Sequence, residues 1–234
     1  MVVPASEPEV RVLQPRPWVL PEPPPLAPPP PAPEPLVLLV DRRRFLAPPA
    51  LQALAASLSP AERQRHSVLG RPADRERFLL ARGGLRQLLA AWLGCPAAAV
   101  PIEAGDHGKP HCPGGPAFNL SHSGDLILFA LHPHRAVGVD VERLRPDLHW
   151  QPIARRVLPE GRQLALAALP AAARLEGFLQ AWCHLEAELK AGGAGFAGIA
   201  RLRDAAASAE RLPQHHWRLA LPAGYRGAAC LQLG

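Results

Sequence analysis

The sequence predicts an α+β protein, and three observations carry that prediction. A short apolar run, Leu36–Val40, opens the patterned part of the chain. A block of strand-like alternation occupies Ala117–Val141, and long helical patterns lie on either side of it. The two kinds of element follow one another without a regular βαβ beat, which argues against a doubly wound sheet.

Residues 1–35 hold 14 of the 30 prolines, including Pro23-Pro24-Pro25 and Pro28 to Pro31. Proline fixes φ and removes a backbone donor, so this stretch reads as an extended, disordered or semi-rigid tail outside the folded domain. Pro35 to Val40 suits a buried strand. Ser59-Pro60-Ala61-Glu62 is a helix start, with serine at the N-cap, proline at N1 and glutamate at N3. A second helix is expected from Asp74 to Trp92, on a stripe of Phe78, Leu79, Leu85, Leu88, Leu89 and Trp92, with Gly94 ending it. The stretch 105–115, rich in Gly, Pro and His, is a loop. Strands are expected at 117–120, 126–131 and 136–141, and helices at 153–169 and 172–191. Gly192, Gly193 and Gly195 mark a break, and strand-like runs at 217–221 and 228–233 close the chain.

With 234 residues and 48% hydrophobic composition, one domain or two small ones with a sizeable core is expected. No run approaches the roughly 18 apolar residues of a membrane span, and the first ten residues lack the features of a signal peptide. Cys95, Cys112, Cys183 and Cys230 are widely spaced, which excludes a zinc ribbon and disfavours a disulfide framework. A soluble cytoplasmic protein with reduced thiols is the expectation. The net charge of +6 favours acidic or phosphorylated partners. No zinc finger, RNA-binding aromatic signature or basic-region heptad accompanies it, so nucleic acid is not expected.

Arginine has displaced lysine almost everywhere: only Lys109 and Lys190 remain, and Asn119 is the single asparagine. Lysine is a compact charge with a tunable pKa, so these two positions are candidates for chemistry that arginine cannot do.

Three constellations carry possible chemistry. In Val137-Gly138-Val139-Asp140-Val141-Glu142, strand alternation turns the valines to a core and the two acids to the opposite face. Adjacent carboxylates need a cation or a solvent layer, and both readings stand: a Mg²⁺ site or a solvated strand face. In Trp182-Cys183-His184-Leu185-Glu186-Ala187-Glu188-Leu189-Lys190, helical spacing stacks Trp182, Glu186 and Lys190. That stripe is either a surface ion pair or a third carboxylate with a nearby ammonium. Gly108-Lys109-Pro110 and Asn119-Leu120-Ser121-His122-Ser123-Gly124 offer donors to phosphate. Ser121–His122 is not read as a hydrolase pair, since no Gly-x-Ser-x-Gly elbow exists. Gly108–Lys109 alone is no P-loop. His132, His134, His215 and His216 read as loop residues, and His107, His111 and Cys112 as neighbours of the phosphate site.

Together, Gly-Lys-Pro, Phe-Asn-Leu-Ser-His-Ser-Gly, Gly-Val-Asp-Val-Glu and Trp-x-x-x-Glu-Ala-x-x-Lys, in this order and spacing, resemble the 4′-phosphopantetheinyl transferase superfamily, most closely its monomeric surfactin-type branch. Arg63, Arg65, Arg77 and the stretch 81–86 resemble that family's basic N-terminal helices. The resemblance implies two similar α+β halves related by a pseudo-twofold, placed at 36–115 and 116–234, with the active site in the cleft between them. It implies transfer of phosphopantetheine from coenzyme A to a serine of an acyl or peptidyl carrier protein, releasing 3′,5′-ADP. Asp140, Glu142 and Glu186 would hold Mg²⁺, with Mn²⁺ as a substitute. Glu186 would accept the serine proton, and Lys190 would assist the departing ADP oxygen. Lys109 and Pro110 would border the nucleotide, Ser121 and His122 would touch its phosphates, and Arg65 and Arg77 would add charge at the 3′-phosphate. The family usually has lysine immediately before its metal-binding glutamate, where this chain has Leu185. That departure motivates one rival reading, a non-catalytic homologue that binds coenzyme A or a carrier protein. The other rival is a Mg²⁺-dependent phosphohydrolase of coenzyme A.

Overall fold

The computed structural model describes residues 11–27, 33–44, 48–105, 108–193 and 214–233. In chain order the elements are β1 (Arg11–Leu13), β2 (Arg16–Pro17), β3 (Leu36–Asp41), α1 (Pro48–Ala56), α2 (Pro60–Ser67) and α3 (Pro72–Leu93). A small hairpin of β4 (Glu103–Ala104) and β5 (Pro110–His111) follows, then β6 (Ala117–Ser123), β7 (Leu126–His132) and β8 (Val137–Arg143). The chain continues through α4 (Trp150–Val157), α5 (Glu160–Ala168) and α6 (Ala171–Gly192), and ends in β9 (Gln214–Leu219) and β10 (Tyr225–Gln232). This mixture is the expected α+β class.

Local sequence explains most boundaries. Ser59 and Glu62 close the expected capping box: the Ser59 hydroxyl accepts from the Glu62 N–H, and the Glu62 carboxylate accepts from the Ser59 N–H. Gly94 ends α3 with φ of 67° and Gly193 ends α6 with φ of 71°, left-handed positions that favour glycine. The helix expected over 153–169 divides into α4 and α5, because Pro159 removes a donor and sits at the N-cap of α5. Helix α1 had no counterpart in the sequence reading.

Two four-stranded sheets form the centre, ordered β2-β3-β7-β6 and β1-β9-β10-β8. The same chain order builds both. A strand, a set of helices and two more strands follow one another, and the last strand inserts between the first and second. In one sheet these strands are β3, β6 and β7; in the other they are β8, β9 and β10. Because β6 and β7 pair back onto β3, the first unit runs to His132. The two sheets meet along a seam where β6 of the first lies against β8 of the second.

The Pro-rich segment also departs from expectation where it is described. Residues 11–27 are not an unpacked tail: β1 joins β9 in parallel and β2 joins β3 in parallel. One short stretch thus adds an edge strand to each sheet, and proline is tolerated there because an edge strand can spare a donor. Trp18 and Leu20 are both 2% exposed, and Trp18 meets Phe129 edge-on at 5.5 Å. Residues 1–10 and 28–32 of that expected tail, and with them His107 and Gly195, lie outside the described residues.

Strand alternation sorts the core into layers. Leu38, Val40, Ile127 and Phe129 face α1 and α3, whereas Val37, Leu126, Leu128 and Ala130 face the second sheet. Val137, Val139 and Val141 line that intersheet core, as their spacing predicts, with Trp217, Ala229 and Leu231. The opposite face of the second sheet packs on α6 through small residues: Ala228 and Cys230 meet Cys183, Ala187 and Ala191. Gly138 belongs to the same contact, because a Cβ there would lie 1.9 Å from the Ala187 carbonyl oxygen. This close approach brings the acids of β8 under the polar stripe of α6. Among the described residues, no helix is long and apolar enough to cross a membrane.

Candidate active site

A recess of about 300 Å³ opens at the seam between the two units. Strand β6 supplies Ser121 and His122, β8 supplies Asp140 and Glu142, and α6 supplies Trp182, Glu186 and Lys190. The two acidic motifs, 44 to 50 residues apart in sequence, thus meet in one recess.

Asp140 and Glu186 are buried, at 4% and 9% exposure, while Glu142 stands nearer the rim. The Lys190 ammonium lies 2.6 Å from Asp140 Oδ1 and 3.9 Å from Glu186 Oε2. It also donates to Ser121 Oγ at 3.3 Å. Ser121 Oγ donates to Asp140 Oδ1 at 2.8 Å, and Ser123 Oγ donates to Glu142 Oε2 at 2.9 Å. Burial raises the Glu142 carboxyl above its ordinary value; the Ser123 hydrogen bond opposes this, and the charge of Asp140 adds to it. Burial likewise raises Glu186; Lys190 opposes the rise, and Asp140 and Glu142 reinforce it. The recess therefore concentrates more negative charge than one ammonium offsets.

The donor set fits a hard divalent cation. Asp140 Oδ2 and Glu186 Oε1 are buried, and no hydrogen bond reaches either oxygen among the described residues. Such oxygens are costly to bury unless something positive meets them. Among the described residues no group of three His, Cys, Asp or Glu side chains forms a ready-made metal cage. A Mg²⁺ site does not need one, since this ion commonly takes one or two carboxylates and completes its octahedron with water and phosphate oxygens.

The other expected site residues have different surroundings. Lys109 Nζ donates to the carbonyls of Lys190 at 2.5 Å and Ala191 at 3.1 Å, capping the end of the helix that carries Glu186 and Lys190. Burial lowers its pKa. Lys109 and Pro110 line a neighbouring recess of about 640 Å³, together with Phe118, Gly192 and Gln232. His122 is exposed at the mouth of the smaller recess; its close-packed neighbours, and then the Arg77 charge, lower its pKa. Arg77 pairs with Asp74 at 3.4 Å, and Arg65 lies over the Phe78 ring at 5.9 Å; neither lines the acidic recess. The Ser121 hydroxyl is directed at Asp140 and also accepts from the Val141 N–H and from Lys190. Leu185 points into the cluster of α4, α5 and α6 with Phe178 and Trp182. Asn119 and Ser123 belong to the stretch expected to offer donors to phosphate, and the structure turns both toward β8. The signal for them was the polar alternation at 119, 121 and 123, which places all three on one face of a strand.

Comparison with known proteins converges on one family. A sequence model of the 4′-phosphopantetheinyl transferase superfamily matches residues 136–225, the stretch from β8 through α6 to the start of β10. The 4′-phosphopantetheinyl transferase HetI of Nostoc sp. is 38% identical over 155 residues, covering 64% of this chain and 65% of HetI. The protein slr0495 of Synechocystis sp., provisionally named a 4′-phosphopantetheinyl transferase, is 35% identical over 170 residues, 71% of this chain and 68% of its own length. The 4′-phosphopantetheinyl transferase AcpT of Escherichia coli O157:H7 is 35% identical over 138 residues, 58% of this chain and 66% of AcpT. The chain thus spans about two thirds of the length of each relative.

Proposed function

Since the chain belongs to the 4′-phosphopantetheinyl transferase superfamily, we propose that it moves 4′-phosphopantetheine from coenzyme A to a serine of an acyl or peptidyl carrier protein. The observation that supports this most is the convergence of Asp140, Glu186 and Lys190 in one recess at the seam. The carrier serine oxygen attacks the β-phosphorus of coenzyme A. The bond from that phosphorus to the bridging oxygen breaks, the serine loses its proton, and 3′,5′-ADP departs.

Glu186 is the proton acceptor: a buried carboxylate with a raised pKa holds a proton more readily than an exposed one. Lys190, one helical turn further along α6, donates to the oxygen that leaves with ADP. Asp140 and Glu186, with Glu142 at the rim, would hold Mg²⁺. Such a cation would supply positive charge beside the diphosphate of coenzyme A. Trp182 lines the α6 side of the recess. The +6 net charge favours encounter with an acidic carrier surface.

The test is the intact mass of an apo carrier protein incubated with this chain, coenzyme A and Mg²⁺. The expected result is a gain of one phosphopantetheine group, abolished by EDTA and by replacing the carrier's acceptor serine with alanine. Consumption of coenzyme A with no gain on any carrier would replace this reading with a phosphohydrolase. Binding of coenzyme A or carrier with no turnover would replace it with a non-catalytic homologue, and Leu185 would be the residue to revert first.

A further inference from the structure

Strands β6 and β8 face each other across the seam, yet neither is the other's ladder partner. Strand β8 pairs with β10, and β6 pairs with β7. The N–H groups that β8 turns toward the seam still need acceptors. Every second residue of β6 provides one from its side chain. Asn119 Oδ1 accepts from the Val139 N–H at 2.9 Å, Ser121 Oγ from the Val141 N–H at 3.3 Å, and Ser123 Oγ from the Arg143 N–H at 3.0 Å. Donors two residues apart on one strand meet acceptors two residues apart on the other, so side-chain oxygens reproduce the period of a β-ladder.

The two serines do more than accept. Each gives its one proton to the carboxylate preceding the amide it serves: Ser121 to Asp140, Ser123 to Glu142. A serine hydroxyl is suited to this, being one donor and two acceptor positions on a short arm. Alanine at 123 would take from the Arg143 amide its acceptor and from Glu142 Oε2 its donor, whereas at 121 Asp140 Oδ1 would keep Lys190 and the Val141 amide would lose its acceptor. The single asparagine of the chain stands where the third acceptor is needed, beside Val139 and ahead of the acids.

We infer that Asn119, Ser121 and Ser123 are positioning residues that fix β8 across the seam and aim the carboxylates of Asp140 and Glu142 into the recess. The value of that aim for catalysis rests on the proposed transferase reading; the seam itself does not.

Ser123→Thr and Ser123→Val are nearly the same shape, and only threonine keeps the hydroxyl. Amide exchange of Arg143, followed by NMR in the full chain, is expected to accelerate at least about tenfold in the valine variant and to stay near wild type in the threonine variant. Mn²⁺ affinity, read by electron paramagnetic resonance, is expected to fall by about 10–100-fold in Ser123→Val and to recover in Ser123→Thr, as for other groups that orient metal ligands. With carrier and coenzyme A, kcat should fall more than KM changes. Should Ser123→Val not fold, Ser123→Ala makes the same comparison with less bulk.

Equal Arg143 exchange in the threonine variant and in the folded hydroxyl-free variant overturns the inference. Faster exchange with unchanged Mn²⁺ affinity overturns its second half, that the serine aims the acid. A wild-type chain that neither binds Mn²⁺ nor transfers phosphopantetheine removes the transferase reading, and Arg143 exchange still decides the seam.

Discussion

Gly138 is the tightest point in the packing of the site, and replacing it with alanine tests whether that packing sets the chemistry. The added Cβ would sit 1.9 Å from the Ala187 carbonyl oxygen and 2.6 Å from the Ala191 amide nitrogen. Those two atoms are the acceptor and donor of one α6 turn, so the methyl would wedge into a helical hydrogen bond. An ordinary carbon–oxygen contact is about 3.3 Å, so strand and helix must separate by about 1.4 Å. Neither backbone can swing aside as a side chain would. Overpacking costs about 1–3 kcal/mol, and a rigid contact belongs at the upper end, about 3 kcal/mol. For a chain of this size that lowers Tm by about 6–12 °C. The same displacement pulls Asp140 from Lys190, now 2.6 Å apart, and from Glu186. Misplacement by about 1 Å is expected to cost about 100-fold in transfer rate. Calorimetry with single-turnover transfer to an apo carrier measures both. A Tm loss under about 2 °C with a rate within about threefold of wild type would mean that this contact sets neither stability nor chemistry.

Trp18→Ala should destabilise the chain by about 3–5 kcal/mol in a denaturant melt, because the ring is fully packed against the first sheet although it lies in the Pro-rich segment. Lys109→Met should free the carbonyls at the end of α6, costing about 1 kcal/mol and speeding hydrogen exchange in peptides covering residues 186–193. Burial, reinforced by His216, holds His184 at about 4, below its ordinary 6.5. The unfolded chain therefore takes a proton that the folded chain refuses. Stability present above pH 6.5 is lost as pH falls toward 4, and His184→Phe should flatten that limb of a stability–pH curve.

Features governed by neighbours along the chain were legible in the sequence. The Ser59–Glu62 capping box, the glycine stops at 94 and 193, and the inward valines of β8 all follow from local spacing. The i,i+4 pair of Glu186 and Lys190 was equally visible, and so was its convergence with Asp140 once the resemblance was recognised. Other features depend on distant partners. Proline content marked residues 11–27 as an unpacked tail, yet their strands form against β9 and β3, and nothing in the segment announces those partners. Ser121 has the composition of a phosphate contact, and only the placement of β8 shows that it also bonds Asp140 and the Val141 amide. Nothing local to Gly108-Lys109-Pro110 shows that the Lys109 ammonium meets the carbonyls at the end of α6, which only the fold brings to it.

We propose that phosphopantetheine changes hands in the recess of Asp140, Glu186 and Lys190. The most direct test is single-turnover transfer to an apo carrier by Glu186→Gln, beside coenzyme A binding by the same variant. Glutamine keeps the shape and loses the base, so binding within a few-fold of wild type and transfer slower by about 100–10,000-fold are predicted. Transfer at the wild-type rate in a folded Glu186→Gln chain would contradict the account.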